Sequence, residues 1–257
     1  MRTDLREGIP MDVYRLAHGL SKHEFDNFMK SPAEYQFRKK QPWKPSREAV
    51  LGTLIHSWVL EDRVDFAVGP DVDKRTKAGK EEWALFCENN IGKEIVTNEE
   101  YGRITGAYTS AKVLLQDVRI DHVEASMFWE RSGVQCKGRP DIIGTINEKP
   151  VIVDLKTTSD FYSFDRKFWS FGYDVQAAWY AYGLKQIWGV DVDFWFLVTD
   201  TEQPHFAQFV LLGSDAMEAA QEKIEDHIDH FAECEKKDFW PGPLKHRILG
   251  LRQWQSS

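Results

Sequence analysis

The run Pro150-Val151-Ile152-Val153-Asp154-Leu155-Lys156-Thr157-Thr158 constrains this chain more than any other feature. Its nearly apolar first half suits a strand buried in a sheet, yet Asp154 and Lys156 stand at its end, where unpaired charges would incur a desolvation cost. Period-two alternation sends both side chains to one face and Leu155 to the other. Asp141 lies 13 residues before Asp154, a distance suited to a preceding strand, a turn and a return. Two carboxylates can therefore meet one lysine.

Carboxylates with water form a hard oxygen site for Mg²⁺, and a nearby ammonium can orient water or stabilise an oxyanion during phosphodiester hydrolysis. The other reading, surface turn acids beside an edge-strand lysine, leaves the apolar setting of VIVDLK unexplained. His56 falls in REAVLGTLIHSWVLED, where Val50, Leu51, Leu54, Ile55, Trp58 and Val59 recur at helical spacing. Gly52 and His56 share one side of that helix, so the imidazole either packs in a core or adds a neutral nitrogen to an oxygen-rich site. Glu124, in the strand-like HVEASMFW, is a further candidate carboxylate, with Glu130 as its local competitor. Gln176 and Tyr180, four apart in DVQAAWYAY, put an amide and a phenol on one helical side, which reads either as a mixed helix surface with an amphipathic tyrosine or as a pair that bonds a phosphate, a water or the lysine region.

Around this motif the pattern predicts an α/β layer arrangement. A helix begins at Ser21, with Glu24 completing a capping box, and Pro32 breaks it. The turn-like QPWKPS precedes the helix carrying His56; residues 63 to 80 look irregular; helices are expected near 80–89 and 98–116. DHVEASMFWE, VQCKGRPDIIGTI and KPVIVDLKTT then predict a small meander. An aromatic crossover, a helix ending near Gly189, two strands and an amphipathic helix complete the order. The expectation is a single elaborated domain over 1–257, with a helical N-terminal portion about 1–118 and a catalytic core about 119–238. Three scattered cysteines, an N-terminus without an apolar signal core and the lack of any long apolar run lead us to expect a soluble, unprocessed cytoplasmic protein.

In order and spacing, Gly52 to His56, Glu124, the KGRPD run ending at Asp141, Asp154-Leu155-Lys156, and Gln176 with Tyr180 together resemble the PD-(D/E)xK nuclease superfamily. The chain looks most like its RecE or exonuclease VIII branch, with YqaJ-like and RecB-nuclease-like relatives. LSKHEFDNFMKSPAEYQF and RTKAGKEEW look like that branch too, so the resemblance covers nearly the whole chain. It implies a restriction-endonuclease-like core, a central mixed β-sheet flanked by helices. It also implies that His56, Asp141 and Asp154, helped by the Leu155 carbonyl, bind a catalytic Mg²⁺, with Mn²⁺ able to substitute. Lys156 would position or activate water, and Gln176 and Tyr180 would support the phosphate. The implied activity is a 5′-to-3′ exonuclease acting on double-stranded DNA ends and leaving 3′ single-stranded tails for a RecT-like annealing protein. The implied assembly is a ring-shaped homo-oligomer, a tetramer being favoured.

The formal charge of −8 argues against an indiscriminate polyanion binder. Local DNA contact by Lys74, Arg75, Lys77 and Lys80 stays open beside a solvated basic loop. The aromatic run from Phe161 to Tyr173 reads either as a buried crossover core or as a wedge stacking at a DNA end. The same catalytic group also serves a structure-specific DNA or RNA endonuclease, and a silent DNA-end binding module could keep the fold.

Overall fold

Runs of Ile, Val and Phe between residues 142 and 198 build the sheet that positions everything else. The computed structural model describes residues 3–41 and 44–243; Pro42 and Trp43, inside the predicted QPWKPS turn, lie outside the described residues. In chain order the elements are β1 (Asp4–Arg6), α1 (Met11–Leu16), β2 (Leu20–Ser21), α2 (Lys22–Lys30), α3 (Pro32–Lys39), α4 (Arg47–Glu61), β3 (Phe66–Val68), α5 (Lys77–Asn89), β4 (Glu94–Val96) and α6 (Asn98–Leu115). Then come β5 (Arg119–Val123), β6 (Ser126–Arg131), β7 (Val134–Gly138), β8 (Ile142–Ile146), β9 (Lys149–Thr158), a 3-10 turn (Phe161–Ser163), α7 (Phe164–Ser170), α8 (Tyr173–Trp188), β10 (Asp193–Asp200), β11 (Ala207–Leu211) and α9 (Ser214–Lys237).

The central sheet has the order β11-β10-β9-β8-β5. It is mixed: β9 and β10 run parallel, joined by the α7–α8 crossover, and the other pairs are antiparallel. β9 is bonded on both edges and covered on both faces, which explains its continuous apolar run. Val151, Val153 and Leu155 pack with Leu51, Ile55 and Ile104 of α4 and α6. Ile152, on the opposite face, packs in the core that also holds Trp179 of α8 and Ile224 of α9. Asp154 and Lys156 continue the Ile152 face.

Local signals in the sequence set several boundaries. Ser21 and Glu24 form both halves of a capping box at α2, and Ser31 caps α3 with Pro32 in its first turn. Gly189 ends α8 in the left-handed region at φ 74°.

The structure corrects three expectations. The meander does not exist as one sheet, because β7 and β8 belong to different sheets separated by a corner at Arg139-Pro140-Asp141. Proline has no N–H for a ladder, so pairing stops there. The second sheet, β1-β6-β7-β2, recruits two strands from the N-terminal portion that was expected to be helical, and these pairings cross the boundary expected near residue 118. Residues 63 to 80 are not wholly irregular: β3 pairs with β4, and α5 begins at Lys77. Among the described residues, no helix is long and apolar enough to cross a membrane.

Candidate active site

The β8–β9 hairpin brings the two acids together. Ile142 pairs with Val153, so Asp141 and Asp154 occupy the next positions outward on the two arms. Asp141 Oδ2 accepts the Leu155 amide at 2.6 Å and lies 3.5 Å from His56 Nδ1, which α4 delivers from across the cleft. Asp154 Oδ1 accepts from Gln176 Nε2 at 2.7 Å, and its Oδ2 contacts the Lys156 ammonium. Lys156 Nζ also sits 4.8 Å from the centre of the Tyr173 ring. α4, the corner before β8, β9 and α8 thus each place a side chain in one cluster.

The electrostatics of this cluster are unbalanced. Burial, then the charge of Asp154, pushes the Asp141 carboxyl well above the usual range, and Lys156 only partly opposes them. Burial works against the Lys156 ammonium, but Asp154 and Asp141 outweigh it and the net shift is upward. His56 is pushed down to about 4, by burial first and Lys156 second, so its ring is neutral at physiological pH. Two buried carboxylates share one ammonium beside a neutral imidazole. That donor set, hard oxygens with one neutral nitrogen, fits a divalent cation such as Mg²⁺ or Mn²⁺, whose charge would offset the deficit. Among the described residues, no group of three or more His, Cys, Asp or Glu side chains is gathered at ligand spacing; His56–Asp141 and Asp154–Lys156 form two neighbouring pairs.

The remaining predicted residues divide. The Leu155 side chain is buried in the α4–α6 core, while its carbonyl bonds the His56 ring. The Tyr180 phenol accepts from the Arg139 backbone, and its ring packs so closely on Gly138 that a Cβ there would lie 2.8 Å from it. It braces the corner that sets Asp141. Glu124 is not in a strand: it sits between β5 and β6 at φ 52°, its amide bonded to the Asp141 carbonyl at 2.9 Å. Burial raises its carboxyl to about 7 against the pull of Arg139. The strand-like reading of HVEASMFW failed there because the chain changes sheets between β5 and β6. Glu130 is exposed on β6.

The basic segment lies at the start of α5, where Lys74 covers the Trp83 ring, Arg75 pairs with Asp73 at 2.9 Å and Lys77 faces Glu81 at 3.8 Å. Lys22 escaped sequence reasoning. It is buried, bonds Asp26 at 2.8 Å and donates to the Phe171 carbonyl at 3.1 Å, fixing the turn before α8. Burial lowers its pKa, and the nearby Lys156 charge adds to the effect. Only the folded chain brings Lys22 and Phe171, 149 residues apart, together.

Two depressions meet at Gly52. A cleft of about 860 Å³ runs past His56, Glu124, Arg63 and Arg139. A groove of about 170 Å³ continues beyond Gly52 along Thr157, Thr158, Lys167, Phe171 and Tyr173.

The sequence profile of the PDDEXK-like domain of unknown function (DUF3799) matches residues 21–245. A candidate exonuclease from Eubacterium rectale superposes with a TM-score of 0.64 at 13% identity, over 91% of this chain and 88% of that one. SSO0001 (TM-score 0.29, 13% identity, 69% and 85% of the two chains) and VC1899 from Vibrio cholerae (0.24, 13%, 74% and 50%) superpose too loosely to bear on the fold. No curated protein matches this chain in sequence.

Proposed function

The chain belongs to this family of PDDEXK-like domains, of the nuclease superfamily fold, and from that premise we propose that it is a Mg²⁺-dependent 5′-to-3′ exonuclease of double-stranded DNA. The observation that carries this reading is the convergence of Asp141, Asp154, His56 and Lys156 at the end of β9, with more buried negative charge than the lysine balances.

In this reading His56, Asp141, Asp154 and the Leu155 carbonyl hold the cation. Once bound, a divalent cation supplies positive charge beside the phosphate and makes water more acidic. Lys156, its ammonium kept protonated by the two acids, orients the attacking water or the phosphate. Gln176 holds one oxygen of Asp154 and so fixes the other toward Lys156. Tyr180 maintains the corner from which Asp141 projects. Glu124, lining the same cleft, adds a carboxyl poised between its two protonation states near neutral pH.

The same reading gives 3′ single-stranded tails handed to a RecT-like annealing protein, a single nuclease domain, cytoplasmic action and a closed tetrameric ring, in which enclosure retards loss of DNA despite the net charge of −8. Lys74, Arg75, Lys77 and Lys80 are its peripheral DNA contacts. Digestion of end-labelled linear duplex, with a closed circle as control, tests it. Mg²⁺-dependent release from the 5′ end, long 3′-labelled single strands and an intact circle are expected. Nicking of the circle, or earlier loss of the 3′ label, would overturn the polarity and the need for an end.

A further inference from the structure

The aromatic run between β9 and α8 divides in the folded chain. Phe164 and Phe168, one turn apart on α7, are buried in the core, whereas Tyr162, Trp169 and Phe171 are 86%, 57% and 57% exposed. Three large rings thus face solvent within ten residues. Phe171 is also continuous with the candidate active site. The Lys156 ammonium faces Tyr173 at 4.8 Å, and the Tyr173 ring lies 5.8 Å from that of Phe171. Phe171 is thus two contacts from the lysine, on the wall of the groove that runs outward from β9.

The mount is rigid. Lys22 holds the Phe171 carbonyl at 3.1 Å, and Gly172 turns the chain at φ 64°, with the Asp26 and Lys22 side-chain ends 3.6 Å from where its Cβ would be. On the same groove Lys167 Nζ is steadied by the Thr158 hydroxyl at 3.1 Å, with further donors left for an anion.

We propose that Trp169 and Phe171, with Lys167, form a stacking platform that holds the unpaired DNA strand at the mouth of the active site. Planar rings take bases of any sequence, and a fixed ammonium among threonine hydroxyls takes the intervening phosphate. Duplex DNA keeps its base faces covered by their neighbours, so the platform selects a strand already separated. This inference rests on the nuclease reading of the site, but its test does not need cleavage.

The test is fluorescence anisotropy of a labelled oligo-dT strand with the full chain in EDTA. Trp169→Ala and Phe171→Ala should each weaken binding about tenfold, the loss expected for one stacked base, while Trp169→Tyr should retain most of the affinity. Melting curves of all variants establish that they are folded. A folded Trp169→Ala/Phe171→Ala double variant that binds oligo-dT like the wild type would overturn the proposal. So would a double variant that keeps this affinity but loses self-association, since the rings would then serve a second copy of the chain. If the variants show the predicted losses but the wild type cleaves no DNA with Mg²⁺ or Mn²⁺, the platform stands and the nuclease reading falls.

Discussion

Two ionic clusters on α4 use similar residue types to opposite effect. At the start of the helix, Arg47 Nε and Nη2 reach both oxygens of Glu100 at 2.6 Å, while Nη1 contacts Glu94. Glu100 also accepts the Thr97 amide at 2.8 Å as half of the α6 capping box. Arg47 above all brings its carboxyl down to about 2. Farther along α4, His56 faces Asp141, whose carboxyl burial and Asp154 push upward. The first cluster is half in solvent with its acids well partnered, and it ties α4 to β4 and α6. The second is more deeply buried, at the edge of the cleft, and carries two acids for one lysine. Solvent and charge count, more than residue type, separate an ionic tie from a site with an unmet demand for positive charge.

The sharpest way to break this contrast is to neutralise an acid in each cluster. Asp154→Asn and Asp141→Asn should each lower single-turnover cleavage by about a thousandfold or more, since both are assigned to the cation. Calorimetry should nonetheless show metal-free Asp141→Asn melting above the wild type, because a buried like charge is removed while an oxygen remains for the Leu155 amide. A lower melting temperature would mean that Asp141 is a structural acid like Glu100.

Lys156→Ala should slow turnover about a hundredfold to ten-thousandfold and leave Mn²⁺ affinity nearly intact in a calorimetric titration. Without metal the variant should melt lower than the wild type, because the ammonium balancing Asp154 is gone, and with its affinity nearly intact Mn²⁺ should stabilise both proteins by similar amounts. Wild-type cleavage by Lys156→Ala would remove the lysine from the chemistry.

A smaller effect is expected at the corner. Tyr180→Phe leaves the Arg139 amide without its acceptor, at a cost of about 1 kcal/mol, and should slow the chemical step several-fold. Unchanged melting and cleavage would reduce Tyr180 to packing against Gly138.

What the sequence showed follows from how local each signal is. Capping at Ser21, the break at Pro32, the end of α8 at Gly189 and the shared face of Asp154 and Lys156 need only neighbouring residues, and all are present. The hairpin return of Asp141 was readable because the β8–β9 turn is short. The assignment of β7 and β8 to different sheets was not, since nothing local separates a corner at Pro140 from a continued strand. Glu124 was misplaced for the same reason. Lys22 reaches the site only through a contact 149 residues away. The aromatic run held both of its readings at once, a core half and an exposed half.

The smallest effect belongs to the exposed cluster. Glu100→Gln should cost about 0.2 to 1 kcal/mol near neutral pH, the range of surface pairs. Glu100 has a lowered folded pKa, so its contribution is present above its ordinary value of 4.5 and is lost as pH falls through about 2. Urea titrations of wild type and variant should converge over that window. Asp141 has the opposite sign: its folded form holds the proton more tightly than the unfolded chain, so lowering the pH toward its ordinary value of 3.8 adds stability. Parallel pH slopes for Glu100→Gln and Asp141→Asn would erase the distinction between the clusters.

The most direct test is anomalous diffraction from a crystal soaked in Mn²⁺. One peak within direct or water-mediated reach of both the Asp141 and Asp154 carboxylates, with His56 beside it, is the predicted result. A peak that reaches only one of the two acids, or occupied Mn²⁺ elsewhere with none between them, would contradict the claim that their unbalanced charge is a cation site.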